Sequence, residues 1–211
     1  MKVTRILPIL ALPIALSIAL VGCGVIAAPT DPESSPESSE VEEEAPAAPA
    51  EGDIAPAGTK VGLDTYLSYD YTGVDDVKAV ISAKLVSVEP VSDAQLKFLN
   101  EQFDQLAGFD VWLVTVDQKK ESGDAVIYNA DYTNFKVVDA EGTQVQGVTL
   151  IGWEDCSTES FDEPFDTEGA VLTQCFIGAA PAGGNVPAGV AYTGGYEETN
   201  PYKDEPLLFI K

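Results

Sequence analysis

The sequence has no histidine, and among its 211 residues only three are cysteine and 11 are lysine or arginine, against 35 aspartates and glutamates. Each shortage closes off chemistry. Without histidine there is no Ser-His-Asp or Cys-His nucleophile, no His-ligated zinc and no ordinary switch near neutral pH. A formal charge of −24 excludes a phosphate-backbone binder, which needs clustered basic side chains, so no nucleic-acid partner is expected. The same charge disfavours adhesion to anionic lipid. No phosphate-cradling glycine loop and no nucleophile elbow occurs, so no catalytic residue and no cofactor is predicted. A long apolar run is missing too. Ile6–Leu20 falls short of the ~20 residues that span a bilayer and is interrupted by Pro8 and Pro13.

What stands at the N-terminus is a basic start (Lys2, Arg5), that apolar run, and then Leu20-Val21-Gly22-Cys23. Basic start and apolar run together have the layout of a secretory signal peptide. The tetrapeptide, with small residues before a cysteine, resembles the lipobox of bacterial lipoproteins. The resemblance implies cleavage before Cys23 and diacylglycerol on its sulfur. Two acyl chains anchor a protein stably where one does so marginally. Two rivals stand beside it. A membrane-spanning helix lacks its basic flank, since no Lys or Arg lies between Cys23 and Lys60. Plain secretion would cleave near Ala27-Ala28. The expected location is the extracellular face of the cell membrane, held by lipid. Removing a leader with two basic and no acidic residues takes the charge from −24 to −26.

Three segments are expected: a signal peptide over 1–22, a lipid-anchored linker over 23–59 and a folded domain over 60–211. Between Ala27 and Gly58, prolines alternate with Ser, Ala and acids that have no basic partner. Such a composition buries too little apolar surface to offset ordering entropy. Like charges and proline stretch it, to a contour on the order of 100 Å at ~3.1 Å per residue. It reads as a disordered stalk.

Residues 60–211 make one ordinary domain. From Val77 to Val91, Val77, Ala79, Ile81, Ala83 and Leu85 alternate with Lys78, Ser82 and Lys84, the pattern of a half-buried strand. Phe109 to Val116 is almost continuously apolar, as in a central strand covered on both faces. Phe135–Val138 and Gln144-Val145 flank Asp139-Ala140-Glu141-Gly142, a hairpin turn. Further strands are expected at Ala125–Tyr128, Val148–Trp153, Ala170–Ile177, Gly189–Thr193 and Leu207–Ile210. One segment departs from this pattern: Ser92 with Gln95 forms a capping box, Leu96, Leu99, Phe103 and Leu106 recur at helical spacing, and Gly108 ends the run. Short strands, one helix and Gly/Pro turns predict an all-β sandwich. If Cys23 carries lipid, Cys156 and Cys175 remain to pair in an exported compartment, closing a loop of about 20 residues. A two-thiolate metal site is the rival.

Val111–Val116, the polar loop after it, Phe135–Gly142, the cysteine pair, Val186-Pro187-Ala188-Gly189 and the terminal Pro206–Lys211 strand together resemble the immunoglobulin-like (telokin-like) domains of uncharacterised Gram-positive, chiefly actinobacterial, surface lipoproteins. The resemblance implies an immunoglobulin-like antiparallel β-sandwich without catalytic residues. The helix at 92–107 and the acidic stalk have no counterpart in it.

Candidate sites are few. Glu154-Asp155, beside Trp153, is a carboxylate pair near an apolar wall. Asp70, Asp75 and Asp76 in one loop, and Asp162, Glu163, Asp166 and Glu168 in another inside the loop that the cysteine pair would close, could supply oxygen ligands to calcium. Tyr66, Tyr69 and Tyr71, and again Tyr192, Tyr196 and Tyr202, cluster as an interaction surface or as ordinary strand residues. The leading expectation is a non-enzymatic lipoprotein that contacts a protein or wall component. The alternatives are a calcium-dependent binding module and a carboxylate-dependent envelope hydrolase.

Overall fold

A computed structural model describes residues 52–150, 152–167, 169–195 and 199–211. The leader, Cys23 and the acidic stretch through Glu51 lie outside these residues, as do Glu168 and Tyr196. The described chain is mostly β, in two sheets with one α-helix. In order it forms β1 (Lys60–Val61), β2 (Leu67–Thr72), β3 (Lys78–Pro90), α1 (Asp93–Gln102), β4 (Phe109–Gly123), β5 (Phe135–Val138), β6 (Gln146–Val148), β7 (Leu172–Pro181), β8 (Gly189–Tyr192) and β9 (Leu207–Ile210). One sheet has the order β2-β3-β4-β7-β6 and the other β1-β9-β8-β5. Their apolar faces meet in one core. Tyr69, Ile81, Leu85, Val114 and Val116 come from the first sheet, and Val137, Val190, Tyr192, Leu207 and Phe209 from the second.

The period-two pattern of β3 holds as read. Ala79, Ile81, Ala83 and Leu85 point inward until a register shift between Leu85 and Ser87 turns Val88 to the core. The apolar run in β4 has the expected cause. Val114 and Val116 face the partner sheet, whereas Val111 and Leu113 face a second cluster on the outside, built with Leu99, Leu106, Ile177 and Ala179. That outer cluster is where α1 packs. Ser92 caps it: its Oγ accepts from Gln95 N–H at 3.3 Å, and Gln95 Oε1 accepts from Ser92 N–H at 2.9 Å. Leu96 and Phe103 complete the stripe, and Gly108, at φ 84°, takes the left-handed turn into β4. Cys156 and Cys175 form the disulfide, with the loop between them closed against β7 by Cys175 N–H donating to Ser157 O at 2.9 Å. Asp139–Gly142 forms the turn, Gly142 N–H donating to Asp139 O at 3.1 Å.

Several expectations are corrected. Ala125–Tyr128 is a turn, not a strand: Asn129 N–H donates to Val126 O, and the N–H of Val126 points at the Asp166 carboxylate instead of a ladder partner. Among the described residues of Val148–Trp153 only Val148 lies in a strand; Leu150 and Trp153 spend their apolar surface covering the outer cluster. Leu67–Thr72, part of it read as loop, is edge strand β2, with Leu67, Tyr69 and Tyr71 inward and Asp70 outward. The sheets are not wholly antiparallel, because β1 pairs with β9 in parallel. Packing also begins ahead of residue 60: Ala55 is buried, Ala55 N–H donates to Ser68 O at 2.8 Å, and Tyr202 Oη donates to Ala55 O at 3.0 Å.

The disulfide bridges residues 19 apart, which in the chain-entropy model stabilises the fold by about 3 kcal/mol. Cys156→Ala with Cys175→Ala is expected to lower the unfolding free energy by about that amount while the fold persists, measured by urea titration.

Candidate functional site

Polar side chains converge at two places, one sealed and one open. The sealed one lies between the sheets. Tyr69 Oη donates to Asp131 Oδ2 at 2.5 Å, and Gln118 Nε2 donates to Tyr69 Oη at 2.8 Å and to both Asp131 oxygens at 2.9 and 3.0 Å. Tyr192, from the opposite sheet, stacks on Tyr69 with ring centroids 3.9 Å apart. All four side chains are buried. Burial pushes the Asp131 carboxyl up from 3.8 to about 6, against the hydrogen bonds from Tyr69 and Gln118 that favour its anion. Burial and then the Asp131 charge hold the Tyr69 phenol well above its ordinary value. A carboxylate, a phenol and an amide can move a proton, yet all three side chains are sealed from solvent. Their role is to fasten β2, β4 and the β4–β5 loop to one another. Gln118 Oε1 is buried without a hydrogen-bond partner among the described residues.

The open place is the end of the sandwich formed by the β2–β3, β4–β5 and β8–β9 loops. One groove of about 490 Å³ runs along Asp70–Thr72 and Lys78–Val80 beneath Asn200 and Tyr202. Another, of about 390 Å³, lies between Gly73-Val74 and Thr133-Asn134; both share Tyr71, Thr72 and Gly195. Asn200 is fully used in shaping the first: its Nδ2 donates to Thr193 O and Gly195 O, and its Oδ1 accepts from Tyr202 N–H. Beside the second, two turns are locked together by Val74 N–H donating to Asn129 Oδ1 at 2.8 Å. No Cβ fits at Gly73, where it would lie 2.3 Å from that oxygen. Asp75, Asp76 and Tyr128 on these turns all have φ near +60°, a region that costs a non-glycine residue about 1–2 kcal/mol.

The sequence-predicted residues divide among these surroundings. Tyr69, Tyr71, Tyr192 and Tyr202 are core, the ordinary reading of the tyrosine clusters. Tyr66 instead lies under Lys84 and Lys119, whose Nζ atoms stand 5.2 and 4.5 Å from its ring centre. Glu154 and Asp155 are exposed, and Asp155 accepts from Gln95 Nε2 at 3.1 Å. Asp166 is engaged by Lys120 Nζ at 2.5 Å and by Val126 N–H, so its charge is already met by a cation. Asp162 Oδ1 accepts from Phe165 N–H. Asp75 and Asp76 sit together on the β2–β3 turn, but Asp70 belongs to β2. Among the described residues no three acidic, Cys or His side chains converge to hold a metal ion. Sequence reasoning missed Asp131, Gln118 and Tyr128. Gln118 lies just beyond the apolar run, and its alternation with Val114 and Val116 was the available signal for it; Tyr128 gave none.

Because the folded-state value of Asp131 lies above its unfolded one, folding binds protons between pH ~4 and ~6. The stability cost of this buried group is absent below pH ~4 and complete above pH ~6. Asp131→Asn removes the titration. Relative to wild type, the variant is therefore expected to gain about 2–3 kcal/mol as pH rises from 4 to 7, read from urea unfolding across that range; a pH-independent difference would refute it.

Comparison with known proteins gives no relative: no family model, no curated protein and no solved structure matches this chain.

Proposed function

We propose that this is a non-enzymatic surface lipoprotein, anchored through lipid on Cys23 and presenting an immunoglobulin-like interaction domain in the cell envelope. The carrying observation is the order of residues at the N-terminus: Lys2 and Arg5, the apolar run and Leu20-Val21-Gly22-Cys23. The acidic, proline-rich stretch behind Cys23 suits a spacer between membrane and domain. Among the described residues no helix is long and apolar enough to cross a membrane.

The immunoglobulin-like assignment draws on topology. Strand β3 faces β8 and β9 and strands β6 and β7 face β5, the chain crosses between sheets at β1–β2, β4–β5, β5–β6 and β7–β8, and β1 runs parallel to β9 along one edge. In antibody domains the disulfide spans the two sheets beneath a tryptophan. Here it lies outside, in the cluster under α1. A binding role is supported by the placement of the polar groups: among the described residues the one carboxylate with a raised proton affinity, Asp131, is buried, whereas the open grooves are lined by strand ends and loop residues.

Palmitate labelling of cells expressing the full chain tests the anchor. Label is expected on the wild-type protein, which sediments with membranes. Cys23→Ala should lose the label and stay out of the membrane fraction. Label retained by Cys23→Ala, or an unlabelled wild type, would refute the anchor.

A further inference from the structure

Resting on the reading of this domain as an interaction module, we infer that the end of the sandwich carrying Val74 and Tyr128 is its docking surface, and that the partner is a protein offering a basic segment beside an apolar socket. Val74 is 72% and Tyr128 90% exposed, the two most exposed large hydrophobic side chains among the described residues. They sit on neighbouring turns that Asn129 joins through Val74 N–H. Neither turn is loose. Tyr128 N–H donates to Phe161 O at 2.8 Å, Phe161 N–H donates to Asn129 O at 2.7 Å, and the Phe161 ring is buried against Phe165 at 4.5 Å. Gly73 N–H closes the other turn onto Val77 O at 2.8 Å. With its backbone already held, a tyrosine has only two side-chain torsions to fix when a partner covers it, which is the property of interface anchors.

Packing does not account for Tyr128. Its ring adds nothing to the core, and its backbone is in the left-handed region that glycine occupies most readily. A bulky residue kept there at a cost points to a task outside the fold. Charge supplies the partner's character. Asp75 and Asp76 are exposed on the Val74 turn, Asp124 and Asp70 are exposed close by, and they outnumber two cations, Lys78 and Lys136, the latter spent in donating to Thr133 O at 2.7 Å. Such a surface steers basic polypeptide toward it and repels an anionic membrane. The groove of about 390 Å³ that starts at Val74 and Asp76 offers room for a basic side chain next to the apolar contact.

The test is selection of a displayed library of short random peptides on the full chain at about 0.15 M salt. Enriched peptides are expected to carry Lys or Arg next to an apolar residue. Tyr128→Ser and Val74→Ser should each weaken them at least about tenfold. Asp75→Asn with Asp76→Asn should weaken them less, by a factor that shrinks at about 0.5 M salt. Leu63→Ser and Val186→Ser, exposed at the other end, should bind as wild type, and all variants should keep the wild-type melting temperature. Neutral or acidic binders, binding that survives Tyr128→Ser, or no binders at all would overturn the surface. Failure of the lipid anchor would leave this binding in solution intact, so the two readings fail separately.

Discussion

Two apolar sheet faces cannot close on a carboxylate unless its hydrogen bonds are met, and that requirement governs the middle of this fold. Asp131 lies in the core because Tyr69 and Gln118 both reach it. Removing one member would leave the others buried and unpaired, which costs more than the bond itself contributes. The knot also fixes geometry. Tyr69 stands on β2, Gln118 two strands away on β4, and Tyr192 stacks from the opposite sheet. An apolar trio of similar volume would pack, but it would not register the strands and the β4–β5 loop against each other so specifically.

From that centre the loop end inherits its rigidity. Asp131 immediately follows the turn that bears Tyr128 and Asn129, and Asn129 in turn holds the Val74 turn. On the far side, Lys120 and Asp166 pin the loop that carries Phe161 and Phe165 to β4. This ion pair is mostly buried, with side chains 13% and 16% exposed. Its value lies more in position than in net energy, since desolvation offsets much of the attraction.

How much of this was legible depended on whether a residue answered to one environment or two. The strand β3 and the helix α1 were readable because their side chains obey a single period against a single partner, and β4, β8 and β9 because both of their faces are covered, which makes them almost unbroken apolar runs. Ser92 and Gln95 were readable because a capping box is local. The segment 125–128 was not: Val126 is apolar because it is buried singly in a turn, and short apolar stretches do not declare whether they pair or merely plug. Leu150 and Trp153 misled for the same reason, their apolarity serving a helix that packs from outside. β2 was obscured by Asp70, an outward residue on an edge strand that imitates a loop acid. The candidate site was less legible than the fold. Exposure and left-handed backbone at Tyr128 are products of tertiary contacts with Phe161, about 30 residues away in sequence, and no local pattern encodes them.

The location of a binding surface follows from what the fold has already committed elsewhere. The inner faces are core. On the outer face of the larger sheet, α1 and the disulfide loop cover one half, while Lys84, Asp117, Lys119, Glu121 and Tyr66 lace the other into ion pairs and cation–π contacts. A small apolar cluster of Val138, Ala188, Ala191 and Ile210 sits on the outside of the smaller sheet and is itself buried. The β2 edge is covered at Ser68 by residues 52–55. Long, flat, unpaired edges invite indiscriminate association, and this chain shortens or covers its edges. Loops at the two ends are then the surfaces left to vary, and of these the Val74–Tyr128 end combines exposed apolar contact, a fixed backbone and an excess of negative charge. A partner that meets it must bring the opposite charge and accept two apolar side chains carried on turns whose backbone is held.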